Sequence, residues 1–80
     1  MKIEVQLFAT FGAFLPPEAQ PAGTTIVEVP ESSTTEDVAA VLGIPLTVAR
    51  VTLVNGQEAG HGQPLAAGDV VTLFPPLAGG

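Results

Sequence analysis

One stretch in the middle of this sequence carries helical periodicity, and the β-branched runs on either side of it must fold around a single helix. Ser33 and Thr34 are both suited to an N-cap, and each has an acid three residues later, Glu36 and Asp37. Those carboxylates fall in the first turn, where the helix dipole favours negative charge. Val38, Val41 and Leu42 supply one apolar face. Gly43 suits a left-handed C-cap with Ile44 packing back, and Pro45 forbids continuation. The spacing predicts a helix over about residues 34 to 42, with Leu46-Thr47-Val48 as a possible extra turn.

The flanks read as strands. Ile3, Val5 and Leu7 alternate with Lys2, Glu4 and Gln6, a period of two that predicts a half-buried strand from residue 2 to about Ala9. Phe11 to Leu15 is apolar and is expected to tuck under the fold, with solvated loop continuing to Gly23. Thr24 to Val29 is β-branched and stops at Pro30, a second strand. Arg50 to Val54 is a third, closed by the turn signal Asn55-Gly56. Residues 57 to 64 hold a loop with room for a short edge strand, and Val70 to Phe74 is the last strand. A helix that crosses from a hairpin to later strands must cover one face of a mixed sheet. The class is α+β, with the first and last strands as parallel central neighbours.

Composition narrows function by exclusion. Eighty residues make one domain with a small core. No apolar run approaches the roughly 18 residues of a membrane span. The opening Met1-Lys2-Ile3-Glu4 lacks the basic-then-apolar pattern of a signal peptide, so a soluble cytoplasmic protein is expected. Zero cysteines exclude disulfides, thiolate metal sites and thiol nucleophiles. Lys2 and Arg50 are the only basic residues, against a net charge of −6. Two cations do not neutralise a phosphate backbone, so nucleic acid is not an expected partner. A basic protein surface is a better match, because opposite fields steer encounter.

The chain ends Pro75-Pro76-Leu77-Ala78-Gly79-Gly80. Two prolines have φ fixed near −65° and donate no ladder hydrogen bond, so strand pairing must stop and the chain leaves stiff and extended. The organisation expected is a domain over 1–74 and an extended arm over 75–80, reaching roughly 20 Å at about 3.3 Å per residue. Gly79 and Gly80 have no Cβ and fit a slot too narrow for any other residue. With Val71 and Leu73 facing the core, alternation turns Phe74 outward at the base of the arm, where it would anchor an interface.

Three pieces coincide: Val54-Asn55-Gly56 after a strand, Leu65 three residues before Gly68-Asp69-Val70, and Phe74-Pro75-Pro76-Leu77-Ala78-Gly79-Gly80 at the end. Together they resemble the MoaD/ThiS family of ubiquitin-like sulfur carriers, across essentially the whole chain. The resemblance implies a β-grasp fold, a mixed sheet of four or five strands with one main helix on one face. It implies that an activating enzyme of the ubiquitin-activating type, using ATP, adenylates the carboxylate of Gly80, and that sulfur then replaces AMP to leave a thiocarboxylate. Phe74, Pro75, Pro76, Leu77, Ala78 and Gly79 would be the partner-binding residues. The sulfur acceptor would be an enzyme such as a molybdopterin synthase large subunit, so molybdenum or tungsten cofactor assembly ranks ahead of thiamin synthesis. On this reading the chain is a co-substrate, not an enzyme, and binds no cofactor or metal itself. A ubiquitin-like modifier conjugated through Gly80 uses the same activation, and a plain binding subunit with an unused arm is the third alternative.

Other polar residues have simpler explanations. His61, between Gly60 and Gly62, is expected to be a solvated loop residue. Glu31, Glu36 and Asp37 read as helix-start signals, and Asp69 as a turn residue accepting local backbone N–H groups. The glycines at 56 to 62 lack the lysine and helix of a phosphate loop.

Overall fold

The computed structural model describes residues 1–45, 47–60 and 62–76. Five strands, β1 (Lys2–Leu7), β2 (Thr24–Glu28), β3 (Val51–Val54), β4 (Gln57–Glu58) and β5 (Val70–Phe74), form one sheet in the order β2-β1-β5-β3-β4. β1 and β5 are parallel at the centre, paired from Glu4 with Val70 to Leu7 with Leu73. β2 and β3 add antiparallel on either side, and β4 closes the far edge as the short strand expected there. The α+β class and the parallel central pair agree with the sequence reading.

Alternation sets which side chains meet. Ile3, Val5 and Leu7 of β1 and Val71 and Leu73 of β5 share one face and are buried. Val27, Val54, Ile44, Val38 and Ala39 complete the same cluster, so α1 (Thr35–Val41) lies over this face. The opposite face carries Lys2, Glu4, Gln6, Ile26, Val51, Leu53, Thr72 and Phe74, as the registers require.

The helix begins as its caps dictate. Thr34 Oγ1 accepts from the Asp37 backbone N–H while the Asp37 carboxylate accepts from Thr34 N (2.8 Å), a complete capping box. Ser33, the other candidate cap, is buried instead and donates its hydroxyl to the Pro30 carbonyl. At the far end Gly43, φ +81°, donates to Ala40 O and Ile44 donates to Ala39 O, a Schellman closure that buries Ile44. The core face differs from the expected one. Thr35, Val38, Ala39 and half-buried Leu42 face inward, and Val41 is 57% exposed, because the 35/38/39/42 stripe places Val41 to one side of it.

Three strands fall short of their sequence limits, β2 by one residue, since it ends at Glu28 and not at Val29. β1 ends at Leu7 because Ala9 takes φ +54° and turns the chain into a 3₁₀ segment, Ala9–Phe14. That segment tucks Phe11 and then Leu15 into the core, as the apolar stretch suggested. β3 starts at Val51, one residue after Arg50. Leu46 lies outside the described residues. Val48 N bonds Pro45 O (3.1 Å), a single turn and not a second helix.

The turn joining β3 to β4 has both central residues left-handed, Asn55 at φ +52° and Gly56 at +83°, which suits the right-handed twist of the hairpin. Its side chain also locks the entry to β5. Asn55 Oδ1 accepts from Val70 N (3.0 Å) and its Nδ2 donates to Asp69 Oδ1 (3.1 Å), while Asp69 Oδ2 accepts from Ala66 N (2.8 Å). Donation from Ala66 N–H, and then from Asn55, holds the Asp69 carboxyl below its ordinary range.

Two outcomes follow for stability. Leu73→Ala opens a cavity at the centre and is expected to cost about 2–5 kcal/mol. Thr34→Ala removes a surface cap and should cost about 1 kcal/mol. Urea unfolding orders the two, and equal losses would contradict the central position of β5. A depressed folded pKa means that Asp69 stabilises above the unfolded carboxylate value, about 3.9, and that this is lost as pH falls through the folded value. Asp69→Asn should therefore flatten the acid limb of the stability curve below about pH 4. An unchanged limb in urea melts at pH 7 and pH 3 would remove Asp69 from the account.

Candidate functional site

The parallel pairing of β1 and β5 makes both strands finish at the same end of the sheet. Phe74 is half-buried there, on the face away from α1, opposite Val51 in register. Phe8 follows β1 beside it, with its N–H on the Leu73 carbonyl (3.1 Å) and 53% of the residue exposed. Pro75 is half-buried and Pro76 exposed, both outside the ladder as their missing N–H requires. Phe74, Pro75 and Pro76 thus stand where the sequence placed the base of the arm. Leu77, Ala78, Gly79 and Gly80 lie outside the described residues, and so does His61.

Two exposed apolar residues on this side escape a reading centred on the arm, Phe8 and Ile26, the latter 57% exposed. The signal for both is alternation: with 3, 5 and 7 inward, residue 8 points out, and β2 pairs Ile26 with outward Glu4. Between them Thr72 Oγ1 donates to Gln6 Oε1 (3.3 Å) and Gln6 Nε2 to Glu4 Oε2 (3.3 Å), a polar strip across β5 and β1. Glu28 on β2 and Glu58 on β4 stand at the two edges of this face, with Glu4 inside it. The face is apolar towards Phe74 and acidic at its margins, chemistry suited to binding a surface with apolar and basic groups.

The carboxylates near the helix divide by role. Asp37 caps, and Glu31 is exposed. Glu36 accepts from Gly62 N and stands 3.8 Å from Arg50, whose side chain is only 7% exposed and also donates to Val48 O. This contact strap ties the helix start to the entry of β3. A cavity of about 250 Å³ opens beside it, lined by Glu36, Arg50, Val51, Thr52, Glu58 and Ala59. Among the described residues no three His, Cys, Asp or Glu side chains gather as metal ligands, and no helix is long and apolar enough to cross a membrane.

A mixed sheet with parallel β1 and β5 at its centre, a hairpin at one side and one helix across one face defines a ubiquitin-like β-grasp protein. The chain belongs to the Mut7-C ubiquitin family, whose model matches residues 1–78. It is similar to the crystal structure of SAMP1 from Haloferax volcanii, at 30% identity over 100% of both chains and a TM-score of 0.71. A putative molybdopterin converting factor subunit 1 from Pyrococcus furiosus is 25% identical, over 95% of this chain and 98% of that one, with a TM-score of 0.72. A complex of subunits 1 and 2 of the molybdopterin-converting factor from Helicobacter pylori is 20% identical over the full length of both chains, TM-score 0.65, a likeness of fold alone. No curated protein sequence matches the chain. The likeness to MoaD-type ubiquitin-like proteins drawn from the sequence holds in these relatives.

The position of Phe8 generates a direct expectation. Phe8→Ser should change the unfolding free energy by no more than about 0.5 kcal/mol, as at other exposed sites. A loss of about 2 kcal/mol or more in urea unfolding would show that the ring belongs to the core.

Proposed function

We propose that this protein is a sulfur carrier whose Gly80 carboxylate is activated and converted to a thiocarboxylate by partner enzymes. The observation that carries the reading is the aligned end of β1 and β5. There Phe74 and exposed Phe8 flank the point at which Pro75-Pro76 leads the chain out of the sheet. A partner that grips this apolar end receives Leu77, Ala78, Gly79 and Gly80 in its active site.

The chemistry follows from the weakness of a carboxylate as an electrophile. Its oxygen attacks the α-phosphorus of ATP, pyrophosphate leaves, and the mixed anhydride so formed presents an acyl carbon with AMP as leaving group. Hydrosulfide from the partner's supply bonds to that carbon, AMP departs with the electron pair, and loss of the S–H proton leaves the thiocarboxylate. The chain contributes no general acid or base; it supplies a reacting atom on a slender support. Residues 1–74 act as the handle and 75–80 as the arm. The sulfur acceptor proposed is a molybdopterin synthase large subunit, in keeping with the Pyrococcus furiosus relative's name, with thiamin synthesis as the alternative pathway. The setting proposed is the cytoplasm.

A second reading has its own support. A Haloferax volcanii structure 28% identical to this chain is described as small archaeal modifier protein 1. Conjugation of Gly80 to a lysine of another protein uses the same adenylate with an amine in place of sulfur.

Intact mass of the protein taken from its own cells tests both. A gain equal to the difference between one sulfur and one oxygen, on a chain ending at Gly80, supports the carrier; covalent conjugates support the modifier. Deleting Gly80, or placing one further residue after it, is expected to abolish sulfur transfer while the thermal midpoint stays put. Full activity in either variant would end both readings.

A further inference from the structure

We propose that Lys2 is the acceptor amine when one copy of this chain becomes joined to another through Gly80. The inference rests on the activation of Gly80 argued above and adds the site that receives it. Lys2 is the one lysine in the sequence, and there is no cysteine thiol to compete with it. Arg50, the other cation, has a delocalised guanidinium packed against Glu36, so it is no nucleophile. The α-amine of Met1 is committed. It donates to the Val29 carbonyl at 2.7 Å, and the Met1 carbonyl accepts from Val29 N at 2.9 Å. Lys2 is exposed, and among the described residues no hydrogen bond or ion pair holds its ammonium group.

Its place in the sheet favours attack between molecules. Lys2 opens β1, and β1 runs parallel to β5, so it stands at the pole opposite the exit of the arm. Five residue steps along β1, from Lys2 to Leu7, separate it from the level of Leu73, roughly 17 Å at about 3.3 Å each. Attack within one molecule would require the arm to double back past Pro75-Pro76 along the whole sheet. A partner enzyme holding the Phe8 and Phe74 end of one copy leaves the Lys2 end of a second copy unobstructed.

The step balances without a redox partner. The deprotonated Nζ of Lys2 bonds to the carbonyl carbon of the Gly80 adenylate, the bond from that carbon to the AMP oxygen breaks, and AMP departs with the electron pair. The nitrogen releases a proton to solvent, leaving an isopeptide bond. ATP, consumed in forming the adenylate, supplies the driving force.

The test uses the full chain prepared as a C-terminal thioester at Gly80, a surrogate for the adenylate that needs no partner enzyme, with free lysine as a competing amine in a parallel sample. Wild type is expected to give dimers and longer linear chains. Trypsin has only Lys2 and Arg50 to cut after. Each junction should therefore appear as an uncut 1–50 segment carrying residues 51–80 as a branch on Lys2. Lys2→Arg keeps the charge and the fold, checked by its melting curve, and should lose the dimers while free lysine is still acylated. Dimers joined at Met1, a cyclised monomer, dimers undiminished in Lys2→Arg, or no dimers beside acylated free lysine would each overturn the proposal. Failure of the Gly80 reading itself shows elsewhere, in the intact mass of the cellular protein.

Discussion

The fold depends on the parallel contact of β1 with β5. Parallel neighbours cannot be joined by a tight turn, so everything between residues 8 and 69 is a long crossover that has to find places around one central pair. Ile3, Val5 and Val71 have no exposed surface, nor has Leu73, and α1 covers them together with Phe11 and Leu15. The hairpin partner β2 takes the free side of β1, and β3 takes the free side of β5. The same contact fixes polarity: strand starts lie at one pole, strand ends at the other. The apolar exit formed by Phe8 and Phe74 is therefore a geometric consequence of the core pairing.

Polar side chains are used sparingly, and chiefly where backbone direction changes. Asn55 and Asp69 hold the entry to β5, Thr34 and Asp37 the start of α1, and Glu36 with Arg50 and Gly62 the loop before Leu65. A small core leaves little margin, so these contacts define where strands begin more than they add to total stability. Burying Arg50 also has an electrostatic effect. It takes one of two cations out of the outer surface and leaves Lys2 as the exposed one among eight acids.

Local signals of high specificity transferred directly from sequence to structure. The capping box at Thr34, the glycine closure at Gly43, the Asn55-Gly56 turn and the β5 limits are each settled by residues adjacent in the chain. What was not legible depends on contacts between distant segments. Alanine has no preference for φ +54°, so nothing at Ala9 announces the end of β1; the burial of Phe11 and Leu15 beneath the sheet imposes it. Val41 looks as apolar as Val38, and only the direction from which the sheet approaches decides that Ala39 is covered instead. The partnership of Glu36 and Arg50 joins residues far apart in the chain, beyond the reach of any local rule. At the site, Phe74, Pro75 and Pro76 were legible from alternation and proline chemistry. Phe8 carried the same alternation signal but becomes meaningful only once β1 and β5 are known to end side by side.

That juxtaposition separates two properties of recognition that sequence merges. The carboxylates Glu4, Glu28 and Glu58 of this face act over about a Debye length and so would govern how fast a basic partner arrives. The exposed ring of Phe8 and the half-buried ring of Phe74 could act only in contact, and under the proposed role they would govern how long it stays. A carrier of the kind proposed would be handed from the enzyme that loads it to the enzyme that unloads it, so neither hold could be tight. A small apolar end beside acidic residues would meet that requirement, because encounter would be fast while the buried area, and with it the residence time, stayed small. Under that proposal the exchange of partners would be set by the same strand pairing that holds the core together.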